Sequence, residues 1–213
     1  MFISATEFNK IPHVSLTHDV FYETREIRQR MDELIAKYGL ADDFKPCSLH
    51  RHFPIEEGQL LLIDKIALEN GDDIELVRPV NITDVNTVHP ISYYVTKEGA
   101  VQPYKYARGV GPSIDDAFFA ELSQLLLETG EYTRISIKRP TGTDITEVEI
   151  PEYNATVLFP MKYVDVDDNI EYAETAKSET HSKTVRGTHR LFLMKDPPSL
   201  ISDTIFSALK VSV

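Results

Sequence analysis

The sequence predicts an α+β fold: a curved, mostly antiparallel sheet of about seven to nine strands packed by two helices. Three observations carry that expectation. Two stretches repeat apolar residues at three and four, the spacing of one helix face. Most of the remaining chain alternates with a period near two. Turn pairs, Asn70-Gly71 and Glu98-Gly99, fall between alternating runs and read as hairpins.

The first helix is expected in "THDVFYETREIRQRMDELIAKYG", where Val20, Ile27, Met31, Leu34 and Tyr38 form the apolar stripe. Asp19 is placed to cap its start and Gly39 to end it. The second is expected in "PSIDDAFFAELSQLLLETG", with Ile114, Phe118, Leu122 and Leu125 on one stripe. There Ser113 and Asp116 are spaced as a capping box, and Gly130 stands at the stop. Strands are expected in "QLLLIDKIALEN", "DIELVRPV", "ISYYVTK", "AVQPYKYA", "YTRISIKRP", "ITEVEIP", "ATVLFPMKYV" and "TVRGTHRLFLMK". Pro103 lacks an amide proton and so has to lie on a sheet edge. The acidic stretch 165–184 reads as a long mobile loop, and "SLISDTIFSALKV" as a short terminal helix.

Composition narrows the function. The chain has 213 residues, enough for one domain spanning 1–213 with its own core. Its formal charge of -12 opposes binding to nucleic acid and to anionic membrane surfaces. The longest basic grouping, Lys138 with Arg139, is too short to offset it. A single cysteine, Cys47, cannot form an intramolecular disulfide. The start "MFISATEFNKIPHV" has no basic segment leading into an apolar run, and no window approaches a membrane span. Cytoplasmic localisation is the expectation.

The segment "CSLHRHFPIEEG" carries the candidate chemistry. If residues 47–53 are extended, Ser48, His50 and His52 share one face and Leu49, Arg51 and Phe53 the other. Two imidazoles on one face can reach a common ion such as zinc, iron or nickel, and Glu56 is the nearest further ligand. Three readings fit: two polar side chains facing water or a sheet neighbour, metal ligation by His50, His52 and Glu56, or metal-free acid–base catalysis by His50 and His52. His181 and His189 are more distant candidates to close over the pair. Cys47 reads as a nucleophile served by His50 or a more distant imidazole, or as a small buried hydrophobe. The glycines of "RGVGPS" precede a helix start, but Asp115 and Asp116 in its first turn oppose a phosphate there. Tyr94 with Tyr104 or Tyr106 can line a cavity or pack a sheet.

The spacing His50-Arg51-His52, three residues, then Glu56 resembles the first metal-binding motif of the cupin superfamily. That resemblance implies a β-barrel, here with added helices, in which His50, His52 and Glu56 ligate a divalent metal. It covers about seven residues. The second cupin motif has no copy, since His89 and His189 stand in other surroundings. The segment "SLHRHFPIEEGQLLL" is also similar to a group of uncharacterised, mostly fungal proteins, a resemblance that implies no activity. The function expected is binding or transformation of a small molecule in a histidine-lined pocket, with or without a divalent metal. The alternative is a non-catalytic interaction module that recruits a protein through its acidic surface and the 165–184 loop.

Overall fold

The computed structural model describes residues 2–17, 19–68, 71–140, 145–160, 172–180, 183–190 and 192–193, the last three segments by backbone only. Helix α1 (Ala5–Phe8) is followed by α2 (Val20–Glu23) and α3 (Arg25–Lys37), then strands β1 (Lys45–Ser48), β2 (Gln59–Ala67), β3 (Asp73–Asn81), β4 (Val88–Val95) and β5 (Val101–Arg108). Helix α4 (Asp116–Thr129) leads to β6 (Ile135–Lys138), β7 (Ile145–Ile150), β8 (Ala155–Pro160), β9 (Tyr172–Thr180), β10 (Lys183–Arg190) and β11 (Phe192–Leu193). One nine-stranded sheet has the order β1-β6-β4-β5-β2-β3-β8-β7-β11, and β9 pairs with β10 separately. All neighbours in the large sheet are antiparallel except β2 with β5 and β11 with β7. The sheet curls into a half-barrel, so the α+β expectation holds and the closed-barrel alternative does not.

Both turn pairs deliver their hairpins. β2 and β3 pair from Gln59 with Asn81 to Ala67 with Asp73, and β4 and β5 pair on either side of Gly99. Gly99 has φ 84°, a left-handed conformation that glycine adopts without a Cβ penalty. Pro103 corrects the edge expectation, because β5 lies inside the sheet. β2 meets β5 only at Tyr106 and Ala107, so the flank of Pro103 that faces β2 needs no donor.

The first helix breaks where one continuous helix was expected. Thr24, buried, turns its hydroxyl onto Val20 O at 2.5 Å and ends α2 before α3 begins. Asp19 makes no capping bond with its side chain. At α4 the cap is Asp115, whose carboxylate accepts from Ala117 N at 2.8 Å, and not the Ser113–Asp116 box. Gly130, left-handed, ends α4 as expected.

Among the described residues two large cores lie on the two faces of the sheet, beside a smaller cluster of Leu60, Leu62 and Tyr106. On one face, Met31, Leu34 and Ile35 of α3 and Phe118, Leu122, Leu125 and Leu126 of α4 pack on Tyr93, Val95, Ile135 and Ile137. Each such side chain contributes roughly 1.5–3 kcal/mol by leaving water. On the other face, Ile3, Ala5, Phe8 and Ile11 pack with Leu49 and Ile55 onto Leu61, Ile63, Val77, Ile91, Tyr104 and Leu158. That second face is the inside of the curl, since one small cavity on it touches residues from β2, β3, β4, β5, β6, β7 and β8.

Of the stretch 165–184 expected as a loop, 172–180 and 183–184 are strand backbone, and the rest lies outside the described residues. The terminal helix expected in 199–211 also lies outside them. No helix among the described residues is long and apolar enough to cross a membrane.

Candidate metal centre

The segment after β1 crosses the inside of the half-barrel on its way to β2, and the N-terminal segment holds it there. Asn9 clamps Ile55 twice, Nδ2 donating to Ile55 O at 2.9 Å and Oδ1 accepting from Ile55 N at 3.0 Å. Arg51 N donates to Pro12 O, and Val14 N to Arg51 O, each at 2.9 Å. Leu49 N extends the β1–β6 pairing by donating to Arg134 O at 2.8 Å. With its backbone tied at Leu49, Arg51 and Ile55, the segment has little freedom to turn its histidines outward.

His50 and His52 point the same way, as alternation implies, but into the protein. They are only 2% and 7% exposed, so they do not face water, and of the plain polar reading only a sheet neighbour as partner stands. Their rings stand edge to face with centroids 5.1 Å apart. The carboxylates that meet them come from β7: Glu147, 2% exposed, and Glu149, 7% exposed. β1 is first in the sheet order and β7 last but one, so the curl itself brings these residues together.

The hydrogen bonds fix the ring tautomers. His50 Nδ1 lies 2.9 Å from Ser48 O, and a carbonyl only accepts, so Nδ1 carries the proton and Nε2 turns to the cluster. His52 Nδ1 lies 2.7 Å from Glu149 Oε1 and donates to that carboxylate. His52 Nε2 then stands 3.1 Å from Glu147 Oε1, in a contact that is close without being an aligned hydrogen bond. A neutral Nε2 and a carboxylate oxygen would present two lone pairs to each other. The pair therefore calls for a cation, either a proton on Nε2 or a metal ion.

One donor atom each from His50, His52 and Glu147 lies within 4.8 Å of the others. Tetrahedral donors about 2.0–2.1 Å from zinc stand about 3.3 Å apart, so His52 and Glu147 already have ligand spacing and the third donor closes by an ångström or so. Each histidine also donates its other ring nitrogen to a carboxylate or a carbonyl, the support that metal-bound imidazoles use. Without a metal, burial pushes the His52 pKa down, but the close charge of Glu147 and the hydrogen bond to Glu149 outweigh it and raise it above the ordinary value.

Glu56 is exposed and the structure does not bring it to the histidines. Glu147 stands in its place. His181 lies outside the described residues, and His189 is described by backbone only. Cys47 is fully buried with Sγ 2.9 Å from Ser136 Oγ, which also meets the Tyr104 hydroxyl at 3.0 Å. Tyr94 and Tyr104 stack edge to face in the inner core, whereas Tyr106 faces the other way with Leu60 and Leu62. The one signal for the β7 carboxylates in the sequence is the alternation in "ITEVEIP", where Glu147 and Glu149 share a face as His50 and His52 do.

The inner cavity beside Glu147 has a volume of about 20 Å³ and is bordered by Ile63, Glu75, Ser92, Lys105 and Lys138 among others. That is room for about one water molecule. A far larger depression, about 760 Å³, is an open groove between the β4–β5 turn and α4, lined by residues such as Val101, Phe119 and Leu127 and by no histidine. Of the two, the small cavity borders a residue of the cluster, Glu147.

No family model, no curated protein and no solved structure matches this chain.

Proposed function

We infer that the protein holds one divalent transition-metal ion at His50 Nε2, His52 Nε2 and a carboxylate oxygen of Glu147, and uses it to bind or transform a small molecule. The observation that carries this is the 3.1 Å approach of His52 Nε2 to Glu147, with Nδ1 of both histidines already committed elsewhere. Two imidazoles and one carboxylate suit catalytic zinc and the non-haem iron of the two-histidine, one-carboxylate class, and nickel accepts the same donors. Such an ion supplies Lewis acidity and lowers the pKa of a bound water. The chain's own part is to hold the donors. Glu149 orients His52, the Ser48 carbonyl orients His50, and the inner core around them excludes bulk water.

The test is the metal content of protein purified without an affinity tag, compared with the His50→Ala, His52→Ala double variant and with Glu147→Gln. Near-stoichiometric zinc, iron or nickel in the wild type alone supports the reading. Equal, substoichiometric metal in all three overturns it.

A second reading has its own observation. The raised pKa of His52 lets a proton fill the place of the ion, leaving an imidazolium clamped between Glu147 and Glu149 as a structural tie. That reading expects no metal uptake at any pH. It also expects stability that falls when either carboxylate is removed.

A further inference from the structure

The open groove of about 760 Å³ between the β4–β5 turn and α4 stands apart from the metal centre, on the helix-covered side of the sheet. Its two walls are fixed to each other, because Ser123 Oγ of α4 donates to Gly99 O of the turn at 2.7 Å. Val101, Phe119 and Leu127 make the lining apolar, and Leu127, 37% exposed, is one of the few large apolar side chains that the described residues leave in water. The charged lining is entirely acidic: Glu98 and Glu128 belong to it, and no lysine or arginine does. Lys97 reaches Glu98 at 3.5 Å, but both side chains are well exposed, and such a pair contributes little. Glu128 accepts from Gln124 Nε2 at 2.7 Å and makes no ion pair among the described residues. It stands in the last turn of α4, the negative end of the helix dipole, and that helix has no basic residue along its length. The groove therefore ends in negative charge without a countercharge, directly beside apolar surface.

We propose that this groove docks a basic amphipathic helix of a partner protein, its apolar face laid on Val101, Phe119 and Leu127 and its lysine or arginine side chains set against Glu98, Glu128 and the C-terminal end of α4. Charge complementarity selects that occupant. A cation placed there relieves both the carboxylates and the helix end, which a neutral or acidic segment does not. A second copy of this chain is the wrong partner on the same ground, since two chains of formal charge -12 repel. The same overall charge draws a basic partner in from a distance. β4 and β5 each have a strand on both sides, so the groove offers an extended peptide no free strand edge, and a helix in the groove is the mode that remains. Because the walls are already tied together, docking orders little of this chain. The groove works whether or not the metal centre is filled.

The probe is a synthetic amphipathic helical peptide of leucine and lysine with a single tryptophan. The chain itself has no tryptophan, so the peptide's emission reports its burial directly. The full chain is titrated into the peptide as wild type, as Leu127→Glu, as Glu98→Gln with Glu128→Gln, and as Glu26→Gln with Glu33→Gln. The last pair removes the same charge from exposed positions on α3, away from the groove. Saturable binding is expected in the wild type, weakened about ten-fold or more by Leu127→Glu and about five-fold by the groove pair, with the α3 pair within about two-fold of wild type. The same peptide with glutamate in place of lysine is expected not to bind. No saturable binding to the wild type, equal weakening by the α3 pair, or equal binding of the glutamate peptide overturns the proposal. A concentration-dependent dimer that Leu127→Glu dissolves assigns the groove to a second copy and overturns it as well. Should Leu127→Glu fail to fold, the groove pair, which keeps both side-chain shapes, decides alone: affinity within about two-fold of the wild type overturns the proposal.

Discussion

Replacing Glu149 by glutamine separates a supported metal ligand from a bystander. The carboxamide keeps an oxygen that accepts from His52 Nδ1, so the ring orientation survives and only the negative charge is lost. The bond concerned is short, 2.7 Å, and the carboxylate is only 9% exposed, so solvent does little to screen it. Removing such a supporting group costs about 10–100-fold in metal affinity, which at 1.36 kcal/mol per decade is about 1.4–2.7 kcal/mol. Burial places Glu149→Gln in the upper half of that range. The assay is competition for zinc against a chromophoric chelator at neutral pH, with Glu56→Gln as the comparison. Glu56 lies in the exposed part of the segment and outside the cluster, so its variant keeps the wild-type affinity. Unchanged zinc affinity in Glu149→Gln, or an equal loss in Glu56→Gln, would refute the assignment.

In metal-free protein, the raised pKa of His52 adds stability that is fully present below the unfolded value of about 6.5 and is lost as pH rises through the folded one. Denaturant midpoints are therefore expected to fall on going alkaline from about 6.5; the same midpoints in His52→Gln should lose that slope, and a wild-type profile that rises or stays flat contradicts it. Zinc affinity should change in the opposite sense, tightening with pH as the metal displaces the proton, measured by the same chelator competition. Ser136→Ala removes the hydroxyl shared by Cys47 and the buried Tyr104, and a loss of about 1–2 kcal/mol is expected in urea unfolding, with wild-type stability as the contrary result. Gly99→Ala forces a side chain into φ 84° and within 3.2 Å of Leu127 and Ser123 on α4, so roughly 1–2 kcal/mol should be lost by the same measure.

The inner cluster also accounts for what the segment "CSLHRHFPIEEG" means. Its two histidines share a face for the local reason that side chains alternate along extended backbone. Which side of that backbone faces solvent is not a local property. The usual inference puts the polar face of an alternating strand in water, and for His50, His52, Glu147 and Glu149 it fails. Both faces of this sheet are covered, one by α3 and α4 and the other by the N-terminal segment. Glu56 was the nearest carboxylate along the chain. Glu147 and Glu149 are the ones that meet His52 in space.

Local chemistry in the sequence determined the two long helices, most of the strands, both glycine-turned hairpins and the same-face histidine pair, because 3.6-residue and two-residue periods and left-handed glycines act over a few residues. Only the tertiary structure decided the break at Thr24, the inner position of Pro103, and the meeting of His52 with carboxylates 95 and 97 residues further on. That meeting depends on the order in which nine strands pair and on the curl that turns the first of them toward the last, and both are set by the whole sheet burying its two faces together.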